Sequence, residues 1–486
     1  MPVRSAPLCA LVLSVLLGAA CSAGTPASGG DRSGSTEPAA TQTTNRPAST
    51  TPTVTSAPLV LVTHPSRPAL DLARPVVDEL LSGRVSDWAD LGSEPGPLAL
   101  LAATGVEAPG ADEVLAAEAV TQAVGRSGAA LGVVPASAVG PGVRVVEVAG
   151  VHPLRQPTAY GLTTPDDAPP AVTTVSVVGD VMLGRRVGSR MAARGDFAAA
   201  LRPIAPRLAG ADLTIGNLES TLARLGAPRQ GNDSFGADPR VRRGLRLAGF
   251  DVLSLANNHT GDYGERALRR TVRTLQQSRV QPFGAGDDLA EAAAPAVLEA
   301  DGTTYAFVGF NAIGETPRAL PRSPGALSVR MPIRTGPLQE ADLAHVERLV
   351  HRAGRTADAV VVLPHWGDQY VHAPLPVQRL VARRLVRAGA DLVVGGHPHV
   401  VQGMDAVRGV PVLHSLGNFV FDMDFSVPTM QGVVLETTWW DGELKALRLV
   451  PYRMDAGSFA PRVVGGAEAA EILGDLRSTS TGPYAG

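Results

Sequence analysis

The sequence predicts an α/β protein, and three observations carry that reading. Short apolar runs of strand type, such as VSVVGD, ADLTIGN, DAVVVLP and ADLVV, alternate with stretches whose apolar residues recur at helical spacing. Polar residues crowd the turns directly after those runs, which is where sites form in open α/β sheets. At 486 residues the chain is too long for one ordinary core, so two or three domains are expected.

Residues 1–21, MPVRSAPLCALVLSVLLGAAC, place Arg4 before an apolar run and end on small residues and Cys21. That pattern reads as a secretory signal, too short for a membrane span. Cys21 after Gly-Ala-Ala resembles a lipoprotein cleavage site, although Gly18 stands where an aliphatic residue is usual. A plain signal peptide is the alternative. Residues 22–56 are Ser, Thr, Pro, Ala and Gly with almost no large apolar residue, so they read as a tether. The expected location is therefore extracytoplasmic, with the membrane met through a lipid anchor only, or else secreted.

Residues 57–165 read as a small α/β domain. PLVLVTHP is a strand, and ALDLARPVVDELLSGRVSDWADL is helical with a break at Pro75. LALLAAT is a strand, ADEVLAAEAVTQAVGRS a helix, and ALGVVP and VRVVEVAG are strands. TTPDDAPPAVTT is a connector. Residues 172–453 form the second domain, and 454–486 read as a poorly patterned tail.

Composition narrows the chemistry. A net charge of −3 with 18% charged residues gives no sign of a nucleic-acid partner. The only cysteines are Cys9 and Cys21, and the basic charge is nearly all arginine, Lys445 being the single lysine. Any metal in the folded part must be held by His, Asp, Glu and Asn, which suits Zn, Mn or Fe.

The second domain repeats one design, a strand followed by polar residues: Asp180; Asn217 and Glu219; Asn257, Asn258 and His259; His365; His397 and His399; Asn418 and Asp422. Carboxylates, neutral imidazoles and amide oxygens are what a divalent ion takes. Two ions about 3.5–4 Å apart would need a bridging carboxylate. Each motif has a bland reading. A GD after a strand is common, His259 alone reads as a satisfied core histidine, and the SLGNF turn, with His414 before it, reads equally as structural. Taken together, and with Pro398 stiffening the His397–His399 link, the motifs point to one shared site.

GDVMLGR, GNLES, SLANNHTGDYG, HWGDQY, GADLVVGGHPHVVQG and SLGNFVFD, in this order, resemble the CapA family of bacterial capsule and poly-γ-glutamate synthesis proteins, over roughly residues 172–452. That family is similar to the calcineurin-like metallophosphoesterases, which implies a β-sandwich flanked by helices and one or two divalent ions. The resemblance implies Asp180 and His399 at a first ion, Asn258, His365 and His397 at a second, Glu219 between them, and His259 as general acid. Asn217, Asn257, Asn418, Asp422 and Arg185 would support the donors or meet substrate. This chain departs where the parent motif D-x-H reads Asp180-Val181-Met182. Glu219 replaces an aspartate, and Asp368 and Gln369 follow HWG. Within 57–165, DELLSGRVSDWADLG and SGAALGVVPASAV resemble one lobe of phosphate-type periplasmic binding proteins.

Two functions follow. One is an extracytoplasmic metal-dependent hydrolase acting on a phosphoester or amide. The other is a non-catalytic factor in making, exporting or anchoring an anionic polymer, with the metal as a carboxylate clamp. Other envelope-biosynthesis proteins would be partners in either case. Solute sensing by the first domain is a third reading, for which half a cleft is present.

Overall fold

The structure is a computed structural model that describes residues 59–160 and 170–486. The leader, Cys21 and the tether lie outside the described residues, as does most of the connector. Among the described residues no helix is long and apolar enough to cross a membrane.

Two sheets pack face to face. In the eight-stranded sheet, Val172–Val181 runs parallel to Leu213–Leu218 on one side and antiparallel to Gln431–Trp440 on the other. Val252–Ser254 and Gln281–Phe283 extend it one way, Glu443–Met454 and Pro461–Val463 the other. The six-stranded sheet runs in the order Ala296–Ala300, Thr303–Asn311, Ala359–His365, Leu392–Val394, Val410–Leu416, Val401–Val407. Val175, Val177, Ile215, Phe307, Val361 and Leu413 fill the space between the sheets. Strands covered on both faces read as continuous apolar runs, which is what AVVVL and LVV are.

Helices cover the outer faces. Arg185–Ala193 and Glu265–Gln276 pack Val187, Met191, Leu268 and Leu275 on the first sheet. Glu340–Ala353 and Pro376–Arg387 pack Leu343, Val350, Val381 and Leu385 on the second. The expected β-sandwich flanked by helices is the fold observed.

Residues 59–160 form a five-stranded sheet ordered Glu113–Leu115, Ala99–Ala103, Ala130–Pro135, Leu59–Thr63, Arg144–Val145. Three local expectations change. The helical stretch after Pro75 breaks into Arg74–Leu81 and a short 3-10 turn Trp88–Leu91, with Gly83 at φ +77° between them. Glu113–Leu115 pairs with Ala99–Ala103 as a strand, so the next helix starts only at Ala117. VRVVEVAG splits into two strands, Arg144–Val145 and Glu147–Val148. His64, just after the strand Leu59–Thr63, is 8% exposed and bonds Ser66.

This region seats on the sandwich. Trp440 Nε1 donates to Leu154 O at 2.8 Å, Lys445 Nζ to Ser137 O at 3.1 Å, and Arg155 pairs with Glu436 at 3.5 Å. The stretch after 453, read as a tail, carries the strand Pro461–Val463 and the helix Gly466–Ser478. Ile472 and Leu476 are buried in the inter-sheet core. Tyr484 donates to Pro141 O at 3.1 Å.

Candidate metal centre

Strand register brings the polar turns together. Asp180 lies opposite Asn217 on one neighbouring strand and Asn418 on the other. In the second sheet His365 lies opposite Asn311 and bridges to Gly396. The carboxyl ends of both sheets thus face one spot. His397 and His399 sit there at φ +98° and +62°. Left-handed backbone is uncommon for residues with a Cβ, and its place here, with Pro398 between, turns both rings toward the carboxylates. Gly395 permits the approach, since a Cβ on it would fall 2.1 Å from His414 O.

Two trios of donor atoms result. Glu219, His365 and His397 offer atoms all within 4.8 Å of one another, and so do Asp180, Glu219 and His399. Glu219 belongs to both, the position a bridging carboxylate takes. All five side chains are buried. Asn258 joins the first trio, its Oδ1 2.9 Å from His365 Nε2.

Both carboxylate oxygens of Glu219 and both ring nitrogens of His397 are buried without a hydrogen-bond partner among the described residues. Glu219 Oε1 lies 2.7 Å from His365 Nε2. Buried polar atoms are nearly always satisfied, and unpaired Glu219 oxygens beside an unpaired His397 nitrogen within the donor trios fit a cation among them. Burial pushes Asp180 up to about 7, with the Glu219 charge adding to it, and pushes Glu219 up to about 7. Burial also lowers His365 to about 4, His399 to about 3, and His397 well below its ordinary value. The three imidazoles are therefore neutral at pH 7, as ligands must be.

The supporting residues hold the donors. Asn217 Nδ2 donates to Asp180 Oδ1 at 2.8 Å, and Asn257 Nδ2 to Asn217 Oδ1 at 2.9 Å. His397 N donates to Asp180 Oδ2 at 3.0 Å. Asn418 Oδ1 lies 2.9 Å from His399 Nδ1, and Tyr452 fixes the Asn418 carbonyl at 2.6 Å. Met182 is buried with its sulfur accepting from Gly184 N at 3.1 Å, so it faces the backbone. His414 stands further back, bonded to Asp405 at 2.9 Å.

His259 stacks on Phe235, ring centroids 3.7 Å apart, with Nδ1 2.9 Å from Asp262 Oδ2. Gln230 donates to the other Asp262 oxygen at 2.6 Å. Arg185 lies over the same Phe235 at 4.5 Å and pairs with Asp422 and, at 3.3 Å, Asp233. Asp422 therefore holds an arginine and does not reach the donor trios.

Three residues escaped the sequence reading. Asp262, three after His259 in HTGD, had a signal in that spacing. Gln230 had none. Glu315, at φ +63°, accepts from Asn258 Nδ2 at 2.7 Å and pairs with Arg334 at 3.1 Å. Nothing in its loop sequence marks it.

The family model described as bacterial capsule synthesis protein PGA_cap matches residues 174–423. A capsule biosynthesis protein CapA of Bacillus anthracis is 30% identical over 294 residues, 59% of this chain and 69% of that protein. A PGA biosynthesis protein CapA of Bacillus subtilis is 30% identical over 259 residues, 52% of this chain and 65% of its own length. The chain thus spans about two thirds of these relatives. A solved putative phosphate transporter substrate-binding protein from Clostridium perfringens matches 21% of the chain and 49% of its own, at 19% identity and a TM-score of 0.19, which is too slight to carry any argument. With half the chain inside one family model and every motif of the donor cluster falling in that span, this chain belongs to the PGA_cap family of bacterial capsule synthesis proteins.

Proposed function

We propose that the chain is an extracytoplasmic, lipid-anchored, metal-dependent hydrolase that acts in the synthesis, export or processing of an anionic envelope polymer. The four orphaned buried atoms of Glu219 and His397 carry the metal part of this reading. The names of the Bacillus relatives support the polymer part. Asp180, Glu219, His365, His397, His399 and Asn258 would hold one or two ions of Mn, Fe or Zn. Such an ion supplies Lewis acidity toward a water and toward an ester or amide oxygen.

The chain's own residues do the rest. Asp262 takes Nδ1 of His259 and so fixes the ring, leaving Nε2 as the nitrogen to hand a proton to a leaving group. Phe235 keeps that ring flat. Asp180, through Asn217 and the His397 amide, and Asn258, through Glu315, are held in one orientation.

One observation favours a second reading, a non-catalytic clamp for polymer carboxylates. Met182 faces Gly184 N, so the Asp180 side lacks the imidazole that hydrolases of the parent type keep. Elemental analysis of the purified protein, with a screen of phosphodiester and γ-glutamyl substrates, separates the two. Stoichiometric metal with turnover that His397→Ala abolishes supports the hydrolase. Metal without turnover supports the clamp, and a metal-free protein that takes up no added Mn, Fe or Zn sinks both.

A further inference from the structure

A second feature lies outside the donor cluster. The helix Glu265–Gln276 buries Ala267, Leu268, Thr271, Val272 and Leu275 and turns Arg266, Arg269, Arg270 and Arg273 outward. Those four follow the i, i+3, i+4, i+7 spacing of a single helical face, four cations within about 10 Å of axis. They wall a cleft of about 860 Å³, with Arg224 also lining it. Arg269 pairs with Asp287 at 2.7 Å. Among the described residues Arg266, Arg270 and Arg273 have no acidic partner, and the one acid lining the cleft, Asp238, is engaged by Arg240 at 2.7 Å.

Like charges three and four apart on a helix destabilise it, so an uncompensated stripe calls for an anion from outside. Aliphatic side chains also line the cleft, Ala192, Leu225 and Pro239 among them. Leu225 is 45% exposed. The only aromatic lining is Phe197, buried beneath Arg240, so the cleft has no platform on which bases could stack. Arginine forks over an aliphatic floor suit carboxylates spaced along a hydrocarbon-rich chain.

We propose that this cleft is a binding groove for a linear polycarboxylate, separate from the metal centre and beside it. Gly236 lines the groove, and its neighbour Phe235 stacks on His259. Thr271, on the arginine helix, accepts from Leu222 N at 2.8 Å, three residues after Glu219. A chain held in the groove therefore lies one wall from the donors. The proposal deepens the polymer part of the proposed function and does not depend on whether the metal centre is catalytic.

The test is fluorescence anisotropy of labelled poly-γ-glutamate with the full protein, at low and moderate salt. The triple variant R266Q/R270Q/R273Q is expected to bind at least about tenfold more weakly and with a flatter salt dependence, as loss of three charge pairs requires. Its melting temperature and metal content stay at or above the wild-type level, because exposed like charges have been removed. His397→Ala is expected to lose metal and keep polymer binding. Unchanged affinity in the triple variant overturns the proposal. So does loss of polymer binding in His397→Ala, or equally tight binding of inorganic polyphosphate or single-stranded DNA. Failure to find metal or turnover leaves this outcome untouched, so the two readings fail separately.

Discussion

Gly396 and Asp180 touch across a gap that only a glycine leaves: a Cβ on Gly396 would lie 2.6 Å from Asp180 Oδ1 and 3.4 Å from His365 Nδ1. Gly396→Ala should push the carboxylate off its Asn217 and His397 bonds. We expect metal affinity to fall by about tenfold or more and stability by about 1–3 kcal/mol, the usual overpacking cost. Metal titration and thermal melting read both. Gly140→Ala, where a Cβ would meet nothing within 4 Å, is the control and should change neither.

Glu219→Gln separates the cost of the site from its use. The carboxylate is fully buried, with Oε1 2.7 Å from His365 Nε2, and burial pushes it up to about 7, so its ionised form weakens the metal-free fold. The neutral amide should stabilise metal-free protein at pH 8 by about 1–3 kcal/mol and abolish the stabilisation by added metal. A variant that is less stable without metal would show that the glutamate is satisfied in some other way.

The pH dependence follows from opposite shifts. Asp180 and Glu219 are raised, so their contribution to metal-free stability is full below about 4 and is lost as pH rises through about 7. His365 and His399 are lowered, so theirs is present above 6.5 and lost as pH falls through about 4 and 3. Between 4 and 6.5 the two slopes oppose each other. Above 6.5 only the carboxylate term remains, and metal-free protein should lose stability until the carboxylates are fully ionised. An ion bound to those carboxylates removes that loss. The gap in melting temperature between metal-loaded and metal-free protein should therefore widen from pH 6 to pH 8. Calorimetry in buffers of different ionisation enthalpy should show proton release on metal binding at pH 6 and little at pH 8.

Glu315 acts on metal through Asn258. By accepting from Nδ2 it turns Oδ1 toward His365. Glu315→Ala should weaken metal binding by about tenfold, in the range seen for residues that orient ligands. Glu315→Gln, whose oxygen can still accept, should restore most of it. Equal loss in both variants would assign Glu315 a charge effect instead.

Much of the centre was legible because its chemistry sits at strand ends. Asp180, Asn217, His365 and His397 each follow an apolar run, and parallel pairing forces such ends to one edge of a sheet. Asp422, read as a supporting residue, pairs with Arg185, which is folded over Phe235, a partner that sequence order does not reveal. Glu315 was invisible because its loop returns to Asn258 only through the tertiary fold, 57 residues along the chain. The same limit explains Glu113–Leu115, where pairing with Ala99–Ala103 overrides a helical pattern. The residues after 453 looked patternless because the helix Gly466–Ser478 turns few side chains inward, Ile472 and Leu476 among them.

That C-terminal helix and the turn beyond it have a consequence for solubility. Val401–Val407 is the outermost strand of its sheet and follows His399 almost directly. At its middle, Met404, the outward-facing backbone is taken up by the segment after Ser478: Ser480 accepts from Met404 N at 2.8 Å, and Thr481 N donates to Met404 O at 2.8 Å. Stripped of that sheath, the strand would present a bare row of amides and carbonyls to another copy of itself, the ordinary start of edge-to-edge clumping. The last twenty residues thus keep the rim beside the histidines from becoming adhesive.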